Sequence, residues 1–253
     1  MLLKVDSKGN KREYLKVKNG IFNGKFKALT FSFDDGVLDD IRVIKIMNKY
    51  GLKGTFNLNS GVLTQTGFWN YKGKKVKHIN YCDCPDLYNG HEVASHSYTH
   101  PYPDLLDYTH NDIVNQVKTD KKILECLYSQ KIEGFAYPMG TYSDDLIDIL
   151  KANGIKYART IISTNKFVLP ENPFLWNPTC HFLDNNIQEL FKEFLAEQNE
   201  NIVFYIWGHS YELINDEDFK RFDDLCRFLS DRKDVDYCTN IEIINAMRNE
   251  VLI

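Results

Sequence analysis

Short β-prone segments alternate with helical segments along nearly the whole chain, and this alternation restricts the possible folds more than any other feature. The β-prone segments are apolar or alternate polar with apolar residues, and the segments between them repeat apolar residues at helical spacing. Strands are predicted at residues 29–34, 54–59, 91–96, 134–138, 156–162, 202–207 and 235–239, and helices at 37–50, 111–128, 143–154, 185–198, 216–231 and 240–249. This order is typical of parallel strands joined by right-handed crossovers. The sequence therefore predicts an α/β fold, a distorted (β/α) barrel with about seven parallel strands.

The predicted barrel accounts for most of the chain as one domain. A barrel of this kind commonly fills a length of 253 residues, and no Gly-, Pro- or Ser-rich linker divides the sequence. Residues 1–24 are predicted to form an N-terminal extension packed on the barrel, and residues 25–253 a single domain. The polar segment 60–90 is predicted to be a rim loop over a cleft, because long loops in compact domains are usually functional.

Composition and charge narrow the classes of partner. The net charge of −4 and the absence of a long Lys/Arg cluster argue against nucleic acid. No apolar run is long enough to span a bilayer, and the first residues lack the apolar core of a signal peptide. We therefore expect a cytoplasmic protein with no membrane partner; a mature form whose signal was removed is the alternative. The six cysteines contain no CxxC pair and fit reduced thiols, and the sequence leaves the oligomeric state open.

Five polar residues fall at predicted strand ends, where barrels of this kind gather their chemistry. These residues are Asp34, Asp35, His96, His100 and His209. Neighbouring strand side chains point in opposite directions, so one aspartate can hold a metal ion while the other handles a proton. His96 and His100 are four residues apart, and one helical turn would bring both imidazoles to a single ion. Two histidines and a carboxylate form a common catalytic metal set; taken singly, an Asp-Gly turn and histidines in routine polar contacts are the alternatives.

These motifs resemble those of a known family, the polysaccharide deacetylases of carbohydrate esterase family 4, which share the NodB homology domain. Residues 32–36, Ser-Phe-Asp-Asp-Gly, are similar to the T-F-D-D-G motif of that family, and residues 96–100 match its H-[ST]-x-x-H motif. Residues 206–209 are similar to its last motif, L-x-x-H or L-x-H. The resemblance spans roughly residues 25–245 and implies a NodB-like barrel with residues 25–253 as one catalytic domain.

The resemblance also implies roles for the strand-end residues. Asp35, His96 and His100 would hold a divalent metal, most often zinc, with cobalt, nickel or manganese as alternatives. A metal ion lowers the pKa of the water that it holds toward neutrality. Asp34 would be the general base, and His209 the general acid that protonates the leaving amine.

Four further residues are predicted to contact the substrate. They are Tyr137, Met139, Trp176 and Trp207. Met139 stands where the family uses a backbone N–H to bind the oxyanion, and Trp176 is the candidate aromatic residue of the fourth motif. Aromatic side chains can stack on sugar faces, although most aromatic residues pack in protein cores.

Two motifs depart from the family pattern. The third motif, R-x-P-[YF], is matched by Ala-Tyr-Pro-Met, so the arginine that steadies the catalytic aspartate is missing. We expect Arg159, at the end of the next strand, to reach Asp34 instead, with a surface arginine as the alternative. The fourth motif supplies no acid to support His209. Glu212 is predicted to lie beside that imidazole and raise its pKa, with Asp184 as the second candidate.

The resemblance thus implies a metal-dependent hydrolase that removes an N-acetyl group from a poly- or oligosaccharide containing an amino sugar. Such an enzyme acts on C–N bonds other than peptide bonds. The altered motifs and the missing export signal favour a small or soluble substrate, namely an oligosaccharide, a nucleotide-sugar-like intermediate or another small amide. Two alternatives are a non-sugar C–N amidohydrolase on the same scaffold and a catalytically silent carbohydrate-binding barrel.

Overall fold

A computed structural model describes residues 3–5, 11–13, 20–63, 66–102, 104–198 and 200–250. The strands in these residues are β1 (Leu3–Val5), β2 (Lys11–Glu13), β3 (Lys27–Asp34), β4 (Gly54–Leu58), β5 (Trp69–Tyr71), β6 (Lys74–Val76), β7 (Glu92–Ser95), β8 (Gly134–Ala136), β9 (Tyr157–Arg159), β10 (Cys180–His181), β11 (Ile202–Gly208) and β12 (Val235–Tyr237). The α-helices are α1 (Asp40–Lys49), α2 (His110–Tyr128), α3 (Asp144–Ala152), α4 (Ile187–Ala196), α5 (Asp216–Leu229) and α6 (Asn240–Asn249).

Among the described residues, the main sheet has eight parallel strands; seven follow the order β10-β11-β3-β4-β7-β8-β9, and β12 joins it beside β3. β11 pairs with residues 27–33 along one edge of β3. The other edge of β3 is shared by two strands, since β12 pairs with residues 27–29 and β4 with residues 31–34. The sheet curls into a distorted (β/α) barrel, which confirms the predicted fold class, and β3 is its most extensively paired strand.

The two faces of β3 show how the sequence positions a site inside the barrel. Leu29, Phe31 and Phe33 belong to the large hydrophobic core between sheet and helices, and both phenylalanine rings contact the edge or face of Phe222 in α5. Thr30 alternates with them and donates a 2.8 Å hydrogen bond to the Asn240 side chain at the start of α6. Because side chains alternate along a strand, the outer face is apolar while the inner face carries polar residues toward Asp34.

Several elements differ from their predicted bounds. The strand predicted at residues 156–162 is β9, which is three residues long. The predicted rim segment 60–90 contains an antiparallel hairpin of β5 and β6. β10, which the sequence pattern did not predict, adds a two-residue strand at one edge of the sheet. Within the described residues, no helix is long and apolar enough to cross a membrane.

The N-terminal segment is described only in part. β1 and β2 pair in an antiparallel manner, as a hairpin requires, and Phe22 is buried in a cluster that includes Ile243 and Met247 of α6. Most of residues 1–24 lie outside the described residues, so packing of that segment on the barrel stays a prediction.

Candidate active site

The chain turns sharply where β3 ends. Asp34 is the last residue of β3 and is 2% exposed, whereas Asp35 follows it with a φ of +78°. Gly36 continues the turn at a φ of +61°, and a Cβ atom there would lie 2.9 Å from the Leu58 side chain. A side chain at residue 36 would therefore be both strained and crowded. This turn gives the two carboxylates different surroundings.

Asp35, His96 and His100 could hold a metal ion, because one ligand atom from each lies within 4.8 Å of the others. We name these three residues the metal cluster. The Nε2 atoms of His96 and His100 are 3.6 and 3.9 Å from Asp35 Oδ1. His96 directly follows β7, but Ser97 and His100 have φ angles of +67° and +49°. The prediction of a helical turn is therefore wrong: a bend with left-handed residues brings the two imidazoles together.

The hydrogen bonding of His96 fits a metal ligand. Its Nδ1 lies 2.8 Å from the carbonyl oxygen of Ala136. A carbonyl only accepts, so Nδ1 carries the proton and the Nε2 lone pair is left on the side of Asp35. Burial lowers the pKa of His96 to about 4, which keeps this imidazole neutral at neutral pH. A carboxylate and two imidazoles arranged in this way suit zinc and similar divalent cations.

Asp34 is held by two donors inside the barrel. Arg159 Nη2 donates to its Oδ2, and Asn57 Nδ2 donates to its Oδ1 over 2.8 Å. His209 Nε2 lies 3.9 Å from Oδ2. Burial raises the pKa of Asp34, but the charges of Arg159 and the neighbouring histidines outweigh it and lower that pKa to about 2. The structure thus puts the Arg159 guanidinium where the sequence analysis expected it, and Asp34 stays ionised at neutral pH.

His181, His209 and Glu212 form a second group, which we name the acid cluster, with one ligand atom of each again within 4.8 Å of the others. Glu212 Oε2 accepts from the backbone N–H of His209 over 2.9 Å. It also lies 2.9 Å from His181 Nε2 and 3.4 Å from His209 Nδ1. Burial lowers the pKa of His209, but Glu212 and the charges of Asp35 and Asp34 outweigh it and raise that pKa to about 9. Burial raises the pKa of Glu212, yet bonding to both histidines holds it well below its usual range.

Sequence reasoning missed two residues of these surroundings. His181 lies on β10, whose two residues give no periodic signal, and its partner Glu212 is distant in sequence. Asn57 is an inward polar residue of β4, so the polar-apolar alternation of that strand could have indicated it. Asp184, the second candidate partner of His209, is wrong in that role: its Oδ2 accepts from the backbone N–H of His181 over 2.8 Å.

The loop that carries His209 is anchored by hydrogen bonds to a buried carboxylate, that of Asp40. The Ser210 hydroxyl donates to Oδ1 of Asp40, and the Tyr88 hydroxyl donates to Oδ2 over 2.8 Å. Asp40 begins α1 and is fully buried, and burial raises its pKa to about 7. These bonds tie the loop after β11 to the helix that follows Asp35.

The four predicted substrate residues separate into two pairs. Tyr137 and Trp176 are each 1% exposed; the Tyr137 hydroxyl donates to the Phe174 carbonyl, and Trp176 packs against two tyrosine rings. Their side chains lie in the core, so the prediction that these two side chains contact the substrate is wrong. Met139, by contrast, is 50% exposed with a φ of +56°, and Trp207 is half-buried beside His209.

The hairpin of β5 and β6 contributes aromatic side chains beside the acid cluster. The rings of Trp69 and Tyr71 meet the ring of Tyr211 edge-on, with centroids 5.5 and 5.0 Å away. Tyr211 in turn lies against the His209 imidazole, with centroids 5.0 Å apart. All three aromatic side chains are partly exposed, so the hairpin borders the region in front of His209.

A family described as polysaccharide deacetylase matches residues 23–158 of this chain. This range contains β3, both histidines of the metal cluster and Asn57. No curated protein sequence matches the chain at a significant level.

Solved structures are similar over nearly the whole chain. A putative polysaccharide deacetylase from Mycobacterium smegmatis has 16% sequence identity and a TM-score of 0.60, covering 91% of this chain and 93% of its own. The peptidoglycan deacetylase PdaC from Bacillus subtilis has 16% identity and a TM-score of 0.53, covering 90% of this chain and 93% of its own. At such identities the likeness shows a shared fold.

Proposed function

Because the chain belongs to the polysaccharide deacetylase family, we propose that it is a metal-dependent hydrolase that removes an N-acetyl group from a substrate containing an amino sugar. The observation that carries this proposal is the convergence of Asp35, His96 and His100 beside a buried, ionised Asp34. His209 lies on the other side of Asp34, at 3.9 Å. A base, a cation site and an acid therefore lie within reach of one substrate group.

Asp35, His96 and His100 would hold the divalent cation, for which zinc is the first choice and cobalt, nickel and manganese are the alternatives. When bound, the cation supplies Lewis acidity for the attacking water and for the acyl oxygen. The carbonyl of Ala136 keeps the His96 ring in the orientation that offers Nε2 to the ion.

The proton transfers are assigned to Asp34 and His209. Water adds to the acetamide carbonyl carbon, and Asp34 takes a proton from that water. His209 then gives its proton to the nitrogen as the C–N bond breaks, so the products are acetate and a free amine. Arg159 and Asn57 hold the Asp34 carboxylate in place, and the raised pKa of His209 supplies its imidazole in the protonated form.

The substrate is proposed to be an N-acetylated amino sugar within an oligosaccharide. Trp207 and the aromatic residues of the hairpin, Trp69 and Tyr71, are partly exposed near His209 and offer faces on which a sugar ring can stack. The exposed backbone turn at Met139 is the proposed donor to the oxyanion.

Release of acetate from N-acetylglucosamine oligomers, with added zinc or cobalt, tests the proposal. We expect wild type to release acetate and Asp34→Asn to bind metal equally well but release at least about 10²-fold less, because the base is lost. Metal bound in stoichiometric amount without acetate from any sugar would favour a non-sugar amidohydrolase. A protein that binds no metal would favour the silent carbohydrate-binding barrel.

A further inference from the structure

One carboxylate oxygen in the acid cluster, Glu212 Oε2, lies beside both His181 and His209. The proposed function uses only His209. We propose that His181 is a positioning residue: by sharing the Glu212 carboxylate with His209, it sets how closely that carboxylate engages the His209 ring. This role rests on the proposed function of His209 as the acid. It adds to that function a residue that limits how closely the Glu212 carboxylate approaches the His209 ring.

The hydrogen bonds of His181 fix which of its nitrogens carries the proton. The backbone N–H of Leu183 donates to His181 Nδ1 over 3.2 Å, so Nδ1 presents a lone pair. The proton of the neutral ring is therefore on Nε2, which lies 2.9 Å from Glu212 Oε2. The nitrogen that His181 places against Glu212 is thus the one that carries the proton.

The ring of His181 occupies a space that the neighbouring strand leaves open. β10 pairs with β11 so that His181 is opposite Trp207, whose ring meets the imidazole at 89° with centroids 5.1 Å apart. The next residue on β11 is Gly208, and a Cβ atom there would lie 2.8 Å from His181 Nε2 and 2.3 Å from the Phe182 ring. Only glycine at residue 208 leaves room for this placement of His181.

The donors to Glu212 Oε2 explain how His181 acts on His209. The backbone N–H of His209 donates to that oxygen over 2.9 Å, and His181 Nε2 lies 2.9 Å from the same oxygen. The Nδ1 atom of His209 stays 3.4 Å away and, among the described residues, is a buried nitrogen without a hydrogen-bond partner. Two N–H groups at 2.9 Å crowd this oxygen, so the ring nitrogen is held at a longer distance. Removing the His181 N–H leaves more of the oxygen open to the ring.

Other charged groups face the two histidines and stay in place when His181 is replaced. Asp34 Oδ2 is 3.9 Å from His209 Nε2, with the Arg159 guanidinium on its far side, and Asp35 also acts on this imidazole by its charge. Tyr211 covers one face of the ring. On the other side, the Asp184 carboxylate accepts from the backbone N–H of His181. A change on replacing His181 therefore reports on the shared carboxylate.

The test is an NMR titration of the His209 imidazole in the metal-free, substrate-free full chain, with the resonance assigned by His209→Gln. In His181→Phe, which keeps a ring but has no donor, we expect the pKa of His209 to rise by about 0.5 to 1 because Glu212 closes on the ring. In His181→Gln, which keeps a donor near the Nε2 position, we expect the wild-type value. An unchanged or lower value in His181→Phe overturns the proposal.

Two further measurements keep the outcome decisive. If His181→Phe does not fold, His181→Asn, whose amide ends short of Glu212, takes its place with the same expectation. In the deacetylation assay we expect His181→Phe to lower kcat about threefold to tenfold, with KM and metal content unchanged. Absence of acetate release from wild type would reject the proposed function, whereas the titration would still decide the role of His181.

Discussion

The metal cluster and the acid cluster each contain two histidines and one carboxylate, and in each the candidate ligand atoms lie within 4.8 Å of one another. Their surroundings differ. In the metal cluster, the Ala136 carbonyl accepts a hydrogen bond from Nδ1 of His96, so the lone pair on Nε2 remains on the side of the Asp35 carboxylate. In the acid cluster, His181 Nε2 lies 2.9 Å from Glu212 Oε2, and the backbone N–H of His209 donates to the same oxygen.

The same difference appears in the protonation of the two clusters. Burial lowers the pKa of His96 to about 4, whereas Glu212 and neighbouring aspartates raise that of His209 to about 9 against the effect of burial. At neutral pH the first histidine offers a lone pair to a cation and the second carries a positive charge that repels one. Under the proposed function, the surroundings of each cluster, rather than its residue types, favour a cation at the first and a proton at the second.

The largest expected effect separates the two clusters by metal content. We expect His96→Gln and His100→Gln to lose the metal and to lower activity by about 10³-fold, since several kcal/mol of Lewis-acid stabilisation disappear. His181→Gln should retain wild-type metal content, measured by mass spectrometry of the dialysed protein. His110→Gln, at an exposed histidine paired with Asp145, is the matched control. Metal lost from His181→Gln but kept in His96→Gln would reverse the comparison.

The sequence allowed the fold class and the metal cluster to be predicted for the same reason. Alternating strands and helices indicate a parallel barrel, and the ends of parallel strands meet at one edge, so Asp35 and His96 converge although 61 positions separate them. The local path between His96 and His100 could not be predicted, because left-handed residues such as Ser97 leave no periodic pattern.

The acid cluster was harder to predict from sequence. Glu212 is near His209 in the chain, and that proximity was enough to nominate it. The contribution of His181 depends on the register of a two-residue strand and on room above Gly208, which are properties of the packed structure. The side chains of Tyr137 and Trp176 are likewise too buried to contact a substrate. The sequence could not reveal this, since an aromatic residue in a motif can equally be a core residue.

The second prediction concerns the acid cluster alone. His209→Gln should lower kcat by about 10²-fold, because general acid catalysis is lost while the cation stays bound. Since the pKa of His209 is raised to about 9, its acid form is present below that pH, and wild-type activity should fall as pH rises through about 9. The profile of kcat against pH checks this. In Glu212→Gln the alkaline fall should move toward the ordinary histidine value of 6.5. A fall near 9 that persists in His209→Gln would assign it to another group.

The smallest effect is expected on stability, at the carboxylate that lies between the clusters. Arg159 and Asp34 form a buried pair, with the arginine side chain 0% and the aspartate side chain 3% exposed. Arg159→Met leaves the Asp34 carboxylate without its main partner, and we expect about 3 kcal/mol less free energy of unfolding at neutral pH. Arg42→Met is the matched control, because Asp216 in that pair is 92% exposed and such pairs contribute about 1 kcal/mol or less.

The pH dependence of the unfolding free energy tests whether the stability lost in Arg159→Met comes from the Arg159–Asp34 pair. The folded-state pKa of Asp34, about 2, is below its ordinary value of 3.8, so its stabilising contribution is present above about pH 4 and is lost as pH falls toward 2. Without Arg159, burial raises that pKa instead, and protonation then favours the folded state. The difference in unfolding free energy between wild type and Arg159→Met, measured by urea denaturation, should therefore shrink by at least about 2 kcal/mol between pH 5 and pH 2. A constant difference across that range would mean that Arg159 stabilises the barrel through packing against Trp207, whose ring lies 4.9 Å from the guanidinium, and not through Asp34.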